Sequence, residues 1–139
     1  MKNYFLSLII LSITINAIHA QETRPLPRTE FALALSQSSV KVNTGESTTI
    51  DLDILRSKTY KKSTATLGLS SSLPDGVVVT FEPENGLIDK TTVKIAVGTT
   101  TKPGEYLLIL KATLQNHTKG ATIKLIINNN ADNATTSGR

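Results

Sequence analysis

An all-β chain of two packed antiparallel sheets is the architecture this sequence predicts, on three observations. Between Phe31 and Ile127, apolar residues recur at every second position in short runs, the period of a strand with one buried face. The runs are cut by turn residues, including Leu73-Pro74-Asp75-Gly76-Val77 and Lys102-Pro103-Gly104-Glu105-Tyr106. No stretch after residue 20 carries a helical period.

Residues 1–20 read as a secretion signal. Lys2 precedes the uncharged stretch Tyr4 to Ile18, whose apolar centre is too short to span a bilayer as a helix, and Ala20 offers a small residue for cleavage before Gln21. Ile18, third before that cut, is larger than the position usually holds, so an uncleaved anchor is the alternative. Cleavage near Ala20 implies a secreted or periplasmic product with no membrane insertion afterwards. Residues 21–30, with Pro25, Pro27, Arg24 and Arg28, form a polar, flexible leader.

The domain proper spans residues 31–127. Phe31, Leu33 and Leu35 share one side of the first strand, and Val40 and Val42 continue it to the turn at Asn43-Thr44-Gly45-Glu46. The next strand alternates, with Ile50, Leu52 and Ile54 inward and Thr49, Asp51 and Asp53 outward. Arg56 to Ser63 reads as a basic loop. Leu67 and Leu69 mark a short third strand, and Val77, Val79 and Phe81 the inward set of a fourth. After Glu82-Pro83-Glu84-Asn85-Gly86 come Val93, Ile95 and Val97. Glu105 to Thr113, a turn at Asn116 to Gly120, and Ala121 to Ile127 complete the pattern. Residues 128–139 are rich in Asn, Thr and Ser and carry too little apolar surface to order themselves, giving a disordered polar tail.

Tyr106 sharpens the fold class. It follows Pro103-Gly104 at the start of the penultimate strand, the place of a tyrosine corner, whose hydroxyl bonds back to nearby backbone. The expectation is an immunoglobulin-like antiparallel β-sandwich of about seven strands, without the Cys and Trp of antibody domains. The runs Ser72-Leu73-Pro74-Asp75-Gly76-Val77-Val78-Val79-Thr80-Phe81-Glu82-Pro83, Thr92-Val93-Lys94-Ile95-Ala96-Val97 and Lys102-Pro103-Gly104-Glu105-Tyr106 resemble stretches of bacterial immunoglobulin-like modules. The likeness covers about residues 36–127 and is nearest to the NEW-type sandwich domains that accompany glycosidases and surface proteins. Those modules usually serve as accessories or spacers in longer proteins, but the shared motifs are turn and core signals, so the resemblance implies a fold rather than a function.

Composition narrows the function classes. The absence of cysteine excludes disulfides and a lipoprotein anchor on a mature N-terminal cysteine. Without Lys2, 14 Lys and Arg stand against 11 Asp and Glu, a net charge of +3, and the positives are scattered rather than gathered on one aromatic-lined face. Nucleic acid is therefore not an expected partner. Enzymatic function is not expected either. His117 is the only histidine outside the signal, no Gly-x-Ser-x-Gly elbow exists, and Ser38-Ser39-Val40-Lys41 places a Ser-x-x-Lys match on a strand. A hydrolase is the weakest alternative, and no cofactor is implied. Glu82, Glu84, Asn85 and Asp89 make the loop 82–89 oxygen-rich, which raises calcium as an option, but without EF-hand spacing a solvated turn is the simpler account. Asn116-His117-Thr118 and Asn133-Ala134-Thr135 match the N-glycosylation pattern, a match expected to be accidental in a bacterial exported protein of the kind the resemblance implies.

Two features carry functional expectations. In Tyr106-Leu107-Leu108-Ile109-Leu110-Lys111 both strand faces are apolar, so Leu107 and Ile109 point outward and Ile126 on the neighbouring strand joins them. Such a patch marks contact with an envelope or extracellular protein or self-association, unless the leader or tail covers it. The alternative lies in Arg56, Lys58, Tyr60, Lys61 and Lys62, a basic loop around one tyrosine that suits an acidic glycan or other polyanion, though such runs are most often solvated faces.

Overall fold

A computed structural model describes residues 24–130. The signal segment with its cleavage position, leader residues 21–23 and tail residues 131–139 lie outside the described residues.

The described residues form nine strands: β1 (Phe31–Leu35), β2 (Ser39–Asn43), β3 (Ser47–Arg56), β4 (Ala65–Leu69), β5 (Val77–Glu82), β6 (Asn85–Gly86), β7 (Lys90–Val97), β8 (Gly104–Leu114) and β9 (His117–Asn128). One sheet runs β1-β3-β7-β5 and the other β2-β9-β8-β4-β6. In immunoglobulin terms the first is A-B-E-D, and the second sets a displaced first strand beside G-F-C. The fold is thus an immunoglobulin-like sandwich. It exceeds seven strands because the first strand is divided between the sheets and because β6 is a two-residue bridge to β4.

The chain leaves β1 at Ser36 and crosses to the opposite sheet, so β2 arrives alongside β9 in the same direction. That pair, from Ser39 opposite Lys124 to Asn43 opposite Asn128, is parallel, which corrects the wholly antiparallel expectation. The last strand also runs one residue into the stretch read as tail, since Asn128 pairs with Asn43 and its carbonyl accepts from the Thr44 N–H.

Period-two alternation builds the core. Ile50, Leu52 and Ile54 of β3 and Val93, Ile95 and Val97 of β7 face Leu108, Leu110, Ala112 and Leu114 of β8 and Ile123, Leu125 and Ile127 of β9, all buried. Burying one such aliphatic side chain contributes about 1.5–3 kcal/mol, so the interleaved set closes the sandwich without a cross-link.

The β8–β9 connection is tighter than its sequence suggested. Leu114 pairs with His117, leaving Gln115 and Asn116 as a two-residue turn with φ of 48° and 68°. Both central residues are left-handed, the condition for a hairpin turn matched to strand twist. Gly120 therefore belongs to a strand rather than to a turn. A Cβ there would lie 3.3 Å from Ile109 Cγ2, so the glycine marks close side-chain packing.

Candidate functional site

The outer face of the five-stranded sheet carries the apolar residues read from the sequence. Leu107 is 66% exposed and Ile109 37%, while Ile126 is half-buried. Register places Leu107 opposite Lys124, Ile109 opposite Thr122, and Ile126 between Glu105 on β8 and Lys41 on β2. Leu107 and Ile126 are thus diagonal cross-strand neighbours, and Ile109 follows two residues after Leu107 on the same strand and face. Between them runs a Lys124–Glu105 ion pair at 2.7 Å. Beside Ile109, its N–H donates to Ser71 Oγ at 3.0 Å and its carbonyl accepts from the Ser70 N–H at 2.8 Å, which docks the 70–71 segment along β8 and leaves Leu107 more open than Ile109. The described leader does not cover this face. Arg24 Nη2 donates to the Leu35 carbonyl at 3.1 Å, holding the leader against β1 on the other sheet.

The basic loop is rearranged relative to its sequence reading. Arg56 is the last residue of β3 and is only 8% exposed. Its guanidinium donates to the carbonyls of Ile88 and Ser63 and to the Asp89 carboxylate, so from inside the domain it clamps the end of β3 to two other chain segments. Tyr60 is only 6% exposed, with its ring 5.6 Å from that of Phe31 and 6.1 Å, edge-on, from that of His117. Neither side chain presents itself to a polyanion, which corrects two of the five loop positions. A 3-10 turn at Lys58–Tyr60 causes the split, turning Tyr60 inward while Lys58, Lys61 and Lys62 stay exposed. The signal for Arg56 was present in the sequence: extending the inward phase of Ile50, Leu52 and Ile54 by one step reaches residue 56.

Charge at the bottom of the sandwich is organised around Glu30, a left-handed residue with φ of 57°. Lys119 Nζ stands 2.5 Å from its carboxylate and His117 Nδ1 3.7 Å. The Lys119 hydrogen bond and charge, with a smaller contribution from His117, hold the Glu30 carboxyl below its ordinary value against a weaker desolvation effect. On the outer face of the four-stranded sheet, Asp51 and Asp53 point outward as expected. Asp51 binds Lys90 at 2.9 Å, and that hydrogen bond and charge raise the Lys90 pKa. In the loop 82–89, Asp89 turns to Arg56 while Glu82 and Glu84 stay exposed. Among the described residues no group of three or more His, Cys, Asp or Glu is placed to hold a metal ion.

No family model matches the chain, and the curated proteins contain no match. The resemblance to NEW-type modules therefore gains no support beyond the shared architecture. Among solved structures, the Vibrio cholerae VesB protease is similar over 69% of this chain and 31% of its own, at 17% identity and a TM-score of 0.47. A D1–D4 ectodomain fragment of ICAM-5 is similar over 73% of this chain and 23% of its own, at 13% identity and a TM-score of 0.46. A conjugative transposon lipoprotein from Bacteroides eggerthii is similar over 68% of this chain and 95% of its own, at 10% identity and a TM-score of 0.49. The chain spans less than a third of the protease and less than a quarter of the ectodomain fragment. The immunoglobulin-like assignment rests on the strand order and on the Tyr106 corner.

Proposed function

We propose that this chain is an exported, non-enzymatic interaction module, secreted or periplasmic, that binds an envelope or extracellular protein through the outer face of its five-stranded sheet. The observation that carries the reading is Leu107, an aliphatic side chain 66% exposed in the middle of a central strand pair, with Ile109 and Ile126 beside it. Large aliphatics on a sheet face are retained at a contact, where their burial drives association, whereas a purely solvated face favours polar residues at such positions. The Lys124–Glu105 pair within the patch gives the contact polarity and orientation without large net charge.

The test is recovery of envelope protein by mature chain from residue 21 onward, at low and high salt, set against the double variant Leu107→Thr, Ile109→Thr. A defined protein retained at both salts by the wild type and lost by the variant supports the reading. Equal recovery by both proteins removes it.

A second reading, binding of an acidic glycan, is favoured by the exposure of Lys58, Lys61 and Lys62, none of which has an acidic partner among the described residues. With Arg56 and Tyr60 turned inward, those three lysines are what remains of that loop. Binding of this kind weakens as salt rises.

A further inference from the structure

On the opposite sheet, the basic loop forms one wall of a groove of about 1190 Å³. Its apolar lining comes from three separate parts of the chain: Leu26 of the leader, Leu55 on the outward phase of β3, and Leu87 after β6. Leu26 is 66% and Leu87 62% exposed. On the neighbouring edge strand, Ala32 stands opposite Leu55 and Ala34 opposite Asp53, so only methyl groups flank the floor on that side. The volume exceeds the ~300–1,000 Å³ of ordinary small-molecule pockets, leaving room for an extended chain.

Charge around the groove is one-sided once existing pairs are set apart. Asp89 is held by Arg56, and Lys90 is held by Asp51. What remains is Arg28, Lys58 and Lys61, without acidic partners among the described residues, against the single carboxylate of Asp53. An apolar floor with three unpaired cations among its lining residues matches a molecule that is hydrocarbon along its length and anionic at one end.

We propose that this groove binds an anionic amphiphile, its alkyl chain lying over Leu26, Leu55 and Leu87 and its carboxylate or phosphate head meeting Arg28, Lys58 and Lys61. The site is independent of the Leu107 face and shares only Lys58 and Lys61 with the glycan reading. Unlike a polyanion site, it requires the chain as well as the charge. Each methylene taken out of water tightens binding by about fourfold when fully buried, so lengthening the chain raises affinity steeply even in an open groove.

Titration calorimetry with dodecanoate below its micelle concentration tests this, with octanoate, acetate and the neutral dodecyl maltoside as comparisons. The expected result is saturable one-to-one binding of dodecanoate, at least about tenfold tighter than octanoate, with no detectable acetate binding and weaker binding of the maltoside. The Leu55→Asn, Leu87→Asn pair and the Lys58→Glu, Lys61→Glu pair should each weaken dodecanoate at least about tenfold. All four positions face outward or lie in exposed loops, and unchanged melting temperatures confirm folding. Leu107→Thr, Ile109→Thr should bind dodecanoate like the wild type, which separates this site from the protein-contact face. The proposal is overturned by no saturable binding, by equal affinity for octanoate and dodecanoate, or by unchanged affinity in the Leu55/Leu87 pair. It is also overturned by binding only to phosphatidylglycerol vesicles, which would make the surface a membrane contact, or by preference for an alternating Leu-Asp peptide, which would make it a peptide groove.

Discussion

The hydroxyl of Tyr106 donates to the carbonyl of Lys102 at 2.9 Å, closing the bend that leads into β8. This one side chain ties the crossing from the four-stranded sheet to the start of the longest hairpin. Tyr106→Phe keeps the ring and deletes only the hydroxyl, so the expected loss is about 0.5–1.5 kcal/mol, the ordinary worth of one such bond. Urea denaturation should show a lower midpoint with an unchanged slope.

Arg56 and Asp89 form an ion pair whose members are unequal, with side chains 4% and 87% exposed respectively. Arg56→Ala removes bonds to two backbone carbonyls as well as to the carboxylate, and should cost about 2–4 kcal/mol. Asp89→Asn leaves those carbonyls bonded and should cost at most about 1 kcal/mol. Comparable losses from both, measured by chemical denaturation, would contradict an interior clamp. Arg56→Lys should recover only part of the loss, because one ammonium cannot span the same three acceptors.

Asn116 holds a left-handed φ of 68° in the β8–β9 turn. Asn116→Gly should be neutral or stabilise by up to about 1 kcal/mol, while Asn116→Val should destabilise by about 1–2 kcal/mol through the Cβ–carbonyl clash of that conformation. A melting temperature unchanged or raised in the Gly variant and lowered in the Val variant would bear this out.

Glu30 makes stability depend on acid pH. Its carboxyl is lowered from an ordinary value of 4.5, chiefly by Lys119, so the folded state favours the ionised form. The resulting stabilisation is present above that ordinary value and is lost as pH falls through the depressed folded value. Glu30→Gln lacks the group, so its urea midpoint should fall less than that of the wild type between about pH 6 and about pH 3. Lys90 runs the opposite way: its raised pKa keeps its contribution through neutrality and loses it only as pH climbs above the ordinary lysine value of 10.5.

The strands were legible because one face of each is buried, which writes burial into the sequence at period two. Ile50, Leu52 and Ile54 are inward and Asp51 and Asp53 outward, as alternation requires. The Tyr106 corner was legible because a rigid Pro-Gly bend sets its position. The loops were not, since a loop has no period: Tyr60 shares a short basic stretch with three exposed lysines yet packs on Phe31, and only the 3-10 turn decides which side chain turns inward. Arg56 departs from the loop expectation for a different reason: its charge suggests solvent, whereas the alternation of β3 points it to the interior. The groove lined by Leu26, Leu55 and Leu87 joins residues with no regular spacing, so it exists only once the chain is folded.

The same-direction pairing of β2 with β9 has a mechanical consequence. Tension entering β2 at Ser39 and leaving β9 at Asn128 acts at opposite ends of the ladder that joins them. The rungs are therefore loaded in shear, all together, instead of being peeled one after another as in a hairpin pulled from its open end. A domain joined this way resists stretching along that axis far better than its modest size suggests, and yields by sliding rather than unzipping.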